Sequence, residues 1–205
     1  MKEYTSIDPA SLTTIDRHQY LTSLVAPRPI ALVSSISDKG NPNLAPFSYF
    51  TALSSTPPIV GFSCNLDAHG NEKDTLQNIK ATGVCVINIV SYDMIDQMLV
   101  CSKPFDSQIN EFDESQFTSL PSDLVKPARV AESHAQLECR LKQVLNWTKT
   151  PGAANFIICD IVKIHCATED YLRTHRLDPH KLDQIGRLGR KYYTRVSGDI
   201  FEPKI

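Results

Sequence analysis

Apolar and polar residues alternate in short runs along most of this chain, and the runs follow one another at short intervals. Arg28 to Ser37 carries apolar residues on both faces and predicts a strand, with Asp38-Lys39-Gly40-Asn41-Pro42 as a turn by its residue chemistry. Asn43 to Ala52 is the predicted second arm of that hairpin. Pro57-Pro58 interrupts the chain before a further strand, Ile59 to Cys64. Val84 to Val90 is apolar on both faces, as expected of a central strand covered on two sides. From Ala135 the alternation is regular. Ala135, Leu137, Cys139, Leu141, Leu145 and Trp147 share one side, while Gln136, Glu138, Arg140, Lys142 and Asn146 share the other. This pattern predicts a half-exposed antiparallel strand. After a turn at Thr150-Pro151-Gly152, Phe156 to Cys166 returns as a long strand.

Helical spacing is confined to a few segments. Asp74 is placed to cap a helix with Gln77 as its capping-box partner, and Gly83 to end it. In Asp93 to Val100, Met94, Ile95, Met98 and Leu99 fall on one face, predicted buried. A short helix is expected over Asp178 to Leu182. Residues 1–20 are polar without sustained periodicity and read as an arm lying on the surface or on a partner subunit, with the fold proper starting near Leu21. Residues 102–131 are rich in Ser, Pro and Asp and read as a long surface excursion of the kind that serves function or subunit contact. Strands in close succession with few inserted helices do not make a parallel sheet. They predict a mainly β fold, a closed or nearly closed antiparallel barrel with peripheral helices. No linker or internal repeat divides residues 1–205, so a single domain is expected, with its core at about 20–195.

Composition removes several function classes. The net charge is -2 and no window is strongly basic, so a nucleic-acid backbone has no electrostatic footprint here. The 6 cysteines form no CxxC pair and sit mostly in apolar alternating runs, which predicts reduced structural thiols. The first residues lack an apolar signal segment and no stretch reaches the ~18 apolar residues of a membrane helix, so a cytoplasmic location without membrane contact is expected. GxGxxG after a strand, GxxxxGK[ST], GxSxG and HExxH are all absent. His175 and His180 flank Asp178, but their five-residue spacing places them on different sides of a helix, and no metal site is expected there.

One stretch carries chemistry. Asn43-Leu44-Ala45-Pro46-Phe47-Ser48-Tyr49-Phe50 brings small residues, a proline, aromatics and hydroxyls together, which suits backbone approaching a flat polar ligand such as a flavin. Lys73-Asp74-Thr75 then opens a helix with a cation and a hydroxyl that could hold a phosphate. Taken alone, Ser48 and Tyr49 read equally well as hydroxyls satisfied inside a barrel, and Lys73 as a solvated residue. In chain order, together with the strand ending at Ser63-Cys64-Asn65, they supply what ring, ribityl chain and phosphate need.

Several motifs in the same order carry a resemblance. Arg28-Pro29-Ile30-Ala31-Leu32-Val33-Ser34-Ser35, the Asn43–Phe50 stretch, Pro57-Pro58, Lys73-Asp74-Thr75 with Asn78-Ile79, Asn110-Glu111-Phe112, Glu132-Ser133 with Leu137-Glu138-Cys139, and Gly186-Arg187-Leu188-Gly189 followed by Tyr192 resemble the flavin reductase-like family of FMN-binding split barrels, especially its flavoredoxin-like branch. The resemblance implies a six-stranded antiparallel split barrel that binds FMN at a homodimer interface. It implies that Pro46, Phe47, Ser48 and Tyr49 line the ring and ribityl chain. Ser63, Cys64, Lys73 and Thr75 are then expected to reach towards ribityl and phosphate, with Arg28, Asn78 and Arg187 as further candidates. The implied activity is an oxidoreductase in which NADH or NADPH reduces FMN, and the electrons pass to a separate acceptor; the alternative is an FMN-binding electron carrier reduced by a protein partner. No side chain is expected to act as a nucleophile, because the cofactor carries the chemistry. The chain departs from the family at His134, where a proline is common, and at Arg190, where a second glycine often stands. Both changes bear on the rim where a nicotinamide would stack.

Overall fold

The computed structural model describes residues 2–168, 171–172, 176–198 and 200; His175 lies outside them. After a single 3-10 turn (Pro9–Ser11) the chain forms α1 (Thr14–Leu24), then runs through β1 (Arg28–Pro29), β2 (Ala31–Ile36), β3 (Pro42–Phe47), β4 (Phe50–Ser55) and β5 (Pro58–Asn65). α2 (Asp74–Thr82), β6 (Val84–Ile89), α3 (Ile95–Val100), α4 (Glu111–Ser115), β7 (Ser119–Leu120) and β8 (Arg129–Val130) follow. The long pair β9 (Ala135–Asn146) and β10 (Ala154–Cys166) precedes β11 (Tyr171–Leu172), β12 (Arg176–Leu177), α5 (Pro179–Leu182), β13 (Ile185–Arg187) and β14 (Tyr193–Arg195).

The hairpin turn forms where its chemistry predicts, with Gly40 at φ 91°, a conformation only glycine adopts freely. The returning arm does not stay with its partner. It divides at Ser48-Tyr49 into β3, which pairs with β2, and β4, which pairs with β5. The main sheet therefore has seven strands, in the order β3-β2-β6-β9-β10-β5-β4, instead of the six expected. Its two edge strands are consecutive in sequence, so the sheet must curl until a two-residue corner spans from one edge to the other. The Ser63 amide donates to the Tyr49 carbonyl (2.9 Å) and fixes that corner against β5.

The inner face of the curl is filled by Val33, Phe62, Ile87, Cys139 and Ile157, all fully buried. Leu76 and Ile79 of α2 enter the same core at zero exposure, each stabilising by roughly 1.5–3 kcal/mol. Gly83 ends α2 at φ 73°, its amide donating to the Ile79 carbonyl. The helix starts differently from expectation. Lys73 occupies the cap position with no side-chain cap, and the Gln77 side chain donates to the Glu72 carbonyl (2.6 Å), so the capping box does not form. A second cluster, with Leu32, Leu44, Met94, Met98 and Phe112, lies on the outer face under α3 and α4. Leu99, assigned to the buried face of α3, is 40% exposed.

β9 corrects its own alternation. Between Leu141 and Gln143 the register with β10 slips by one residue, and because side chains alternate with period two, a bulge exchanges the faces beyond it. Val144 then packs on the core while Leu145 and Trp147 turn outwards, Trp147 at 64% exposure. The other face of β9 is not half-exposed at its start, because the 102–131 excursion folds back over it. Glu138, fully buried, accepts the Asp123 and Leu124 amides (2.8 and 2.6 Å). Gln136 donates to the carbonyls of Val130 and Ser133 (3.1 and 2.6 Å).

The later part of the expected arm is helical, while residues 2–8 are irregular and exposed. Thr13 caps α1, accepting the Asp16 amide (3.1 Å) and donating to the Asp16 carboxylate (2.6 Å). No helix among the described residues is long and apolar enough to cross a membrane.

Candidate functional site

Where the polar side of α1, the β1 strand, the Ser48 corner and the turn after β13 meet, they leave an open cleft of about 1010 Å³. Thr14, His18, Gln19 and Thr22 supply one wall from α1, Pro46 and Ser48 another from the corner, and Arg187, Leu188, Arg190 and Lys191 a third. Two close approaches set this geometry. A Cβ added at Gly189 would stand 2.3 Å from Ser23 Oγ and 3.1 Å from Ser23 Cα, so only glycine lets the turn reach α1. At Gly186 the same atom would meet Pro27 Cβ at 2.7 Å.

Arg28 is the joint between these walls. It is 6% exposed. Its Nη1 donates to the carbonyls of Thr22 (2.5 Å) and Val25 (2.6 Å), which capping of a helix C-terminus by a cation favours. Its Nη2 donates to the Leu188 carbonyl (3.1 Å), and its guanidinium lies 5.7 Å from the Tyr49 ring centre. Nε is buried with no partner, and none of the ion pairs among the described residues includes Arg28. Burial lowers its pKa; Tyr49 opposes this, and the nearby Arg187 charge adds to the lowering.

Four cations, Arg28, Arg187, Arg190 and Lys191, line the cleft with His18, and no Asp or Glu is among its described lining residues. In a chain whose net charge is -2, this excludes acidic side chains from one place. An uncompensated buried guanidinium with an idle donor is costly unless an anion approaches. The cleft therefore has the donor set for a flat ligand carrying phosphate, and FMN fits that description.

The sequence-predicted residues divide into five groups. Arg28, Pro46, Ser48 and Arg187 come together on the cleft. Tyr49 sits at the corner, its ring stacked on His18 at 6.3 Å between centres. Phe47 and Cys64 point into the core instead. Phe47 packs on Phe62 at 5.2 Å, and burial pushes the fully enclosed Cys64 thiol up to about 11, although Lys73 pulls it down. Thr75 and Asn78 belong to a separate buried network, in which Asn43 Nδ2 donates to Thr75 Oγ1 (2.9 Å) and to Ser35 Oγ (3.1 Å), and Asn78 Nδ2 donates to Ser35 Oγ (3.2 Å). Ser63 and Lys73 lie outside the cleft lining, although Asn65, two residues from Ser63, is part of it. Of the two departures, Arg190 is on the rim and His134 is not.

Sequence reasoning missed the α1 wall. The signal was present: Thr13-x-x-Asp16 is a helix-start pattern of the capping-box kind, and it would have put His18 and Thr22 on one face. A second cluster, Asp123, Glu138 and His165, brings three possible ligand atoms within 4.8 Å of one another. Its groups already have partners, since Glu138 holds two amides and His165 Nε2 (2.7 Å), and Lys163 pairs with Asp123. It reads as an anchor for the excursion. Burial raises the Glu138 pKa, but the Asp123 amide, His165 and the Leu124 amide outweigh burial and hold it below the usual glutamate range.

The profile of the flavin reductase like domain matches residues 24–179. A protein of Halalkalibacterium halodurans is 31% identical over 197 residues, 95% of this chain and 93% of its own. Nitrilotriacetate monooxygenase component B from Bacillus cereus superimposes with a TM-score of 0.93 at 28% identity, over 99% of this chain and 100% of that one. The 2-nitrobenzoate 2-nitroreductase of Pseudomonas fluorescens gives 0.88 at 27% identity, over 98% and 96%. Flavoredoxin of Desulfovibrio vulgaris shares the fold, at 0.76 and 17% identity over 99% and 97%. With the split-barrel sheet and the profile in agreement, the chain belongs to the flavin reductase-like domain family.

Proposed function

We propose that this protein is an FMN-dependent oxidoreductase that takes electrons from NADH or NADPH and delivers them to a separate acceptor. The observation that carries the reading is the cleft itself, where Arg28, Arg187, Arg190 and Lys191 gather with no Asp or Glu among the described lining residues. Bound FMN supplies the hydride-accepting ring and the release of electrons to the acceptor. Arg28 and Arg187 provide positive charge for an anionic cofactor, Pro46 and Ser48 a wall for it, and the Tyr49–His18 stack closes the corner. Phe47 and Cys64 act from behind by packing, and Thr75 and Asn78 by fixing β3 to α2. The reading also draws on the two full-length structural relatives, one a monooxygenase component and one a nitroreductase.

A second copy of the chain is the proposed cover for α1. Only Thr22 of that helix is buried, while Ile15 (70%), Leu24 (78%) and the adjoining Val25 (61%) face outwards beside the cleft. Sedimentation at twice the monomer mass is expected; a monomer at micromolar concentration would remove the dimer.

The deciding experiment is a visible spectrum of the protein purified and then supplied with FMN, followed by anaerobic addition of NADH or NADPH. A bound-flavin spectrum that bleaches is expected. Flavin that binds but stays oxidised would assign the protein as a carrier reduced by a protein partner, and failure to bind FMN would end the flavin reading.

A further inference from the structure

The turn from Leu188 to Tyr192 is built as a fixed cationic tip. The Leu188 amide donates to the Tyr192 carbonyl (3.0 Å) and the Tyr192 amide to the Gly189 carbonyl (3.3 Å), closing the turn at both ends. Gly189 seats it against Ser23 of α1. At its apex Arg190 takes φ 57°, a left-handed conformation that disfavours any residue with a Cβ. The backbone is held there by Arg187, whose Nη2 donates to the Arg190 carbonyl (2.7 Å) while its guanidinium rests 4.3 Å from the Tyr193 ring centre. Arg187 is thus occupied in shaping the turn. The side chains it presents, Arg190 and Lys191, are exposed on the cleft rim, and neither has a hydrogen bond or ion pair among the described residues. Tyr192 beside them is 67% exposed, a bare aromatic face.

Two unpaired cations of different geometry next to an open ring suit a phosphomonoester attached to a flat heterocycle. A guanidinium clamps phosphate oxygens or stacks, an ammonium adds a point charge, and the ring offers a stacking surface. We infer that this turn recognises the 2′-phosphate of the electron donor, so that the donor is NADPH rather than NADH. The inference rests on the oxidoreductase reading, and it assigns the outer rim a role separate from Arg28, which is tied to α1 deeper in the cleft.

The probes are adenosine 2′,5′-bisphosphate and adenosine 5′-monophosphate, titrated calorimetrically into the whole chain with and without saturating FMN. The bisphosphate is expected to bind about 10-fold or more tightly. In the double variant Arg190→Gly with Lys191→Ala that ratio should fall to near one; glycine suits the left-handed backbone, so the turn itself is spared. The charge-conserving pair Arg190→Lys with Lys191→Arg should keep the preference. The NADPH-to-NADH ratio of anaerobic flavin reduction rates should follow the same pattern. Equal binding of the two fragments, or a preference that survives neutralisation, overturns the assignment. So does a double variant that loses FMN affinity but not riboflavin affinity, because the two cations would then hold the flavin phosphate. A protein that prefers the bisphosphate yet never binds FMN keeps the rim assignment and removes the flavin reading, so the two failures are told apart.

Discussion

Two buried charges, Glu138 and Arg28, are held in opposite ways. Glu138 on β9 is saturated, with two amides and an imidazole nitrogen on its two oxygens. Arg28 between α1 and the cleft has three carbonyls, an idle Nε and no carboxylate. A saturated charge locks one arrangement of the chain, here the excursion against the sheet. An unsaturated one leaves a share of its interaction energy for something that arrives later. The difference separates a structural anchor from a binding site better than burial, which is nearly equal for the two.

That contrast can be broken by substitution. Glu138→Ala should have the largest effect, because two amides lose a charged acceptor inside the protein. A loss of about 3–5 kcal/mol in urea unfolding is expected, with the excursion becoming protease-sensitive. The effect depends on pH. The folded-state pKa of Glu138 lies below the usual value of 4.5, so its contribution is complete above that value and is lost as pH falls through the depressed pKa. The gap between wild type and variant should therefore be full at neutral pH and shrink in acid. A constant gap would mean the carboxylate charge is not what holds the loop.

Arg28→Met should act the other way round. It keeps the aliphatic stem and removes an uncompensated charge, so the stability loss should stay within about 1–2 kcal/mol, smaller than at Glu138. FMN affinity should fall about 10- to 100-fold. If the stability loss matches that of Glu138→Ala and FMN affinity is unchanged, Arg28 is only the cap of α1 and the comparison fails.

Much of the sheet was legible before the structure. The turn at Gly40, the doubly covered β6 and the strand pair around Thr150-Pro151-Gly152 follow from local chemistry and short-range periodicity. What escaped was decided at long range. Nothing in the sequence at Ser48-Tyr49 marks a corner, because the division of that arm follows from closure of the sheet. Glu138 sits on the polar side of an alternating strand, and only residues 123–124, folding back, enclose it. The bulge at β9 had no glycine or proline to signal it. At the site, Pro46, Ser48, Arg28 and Arg187 all line one cleft. Phe47 faces the core because the side chain between two cleft residues along a strand points away from the cleft, and Thr75, on α2, is held in the buried network with Asn43.

The Ser48-Tyr49 corner has a consequence beyond topology. It is at once the seam that joins the two edge strands and part of the cleft wall. Whatever grips the cleft at Ser48 also holds the seam shut, and whatever loosens the seam enlarges the cleft. Occupancy of the cleft and closure of the curled sheet are thus one thermodynamic cycle, in which a molecule binding at a surface groove acts as a clasp for the whole β architecture.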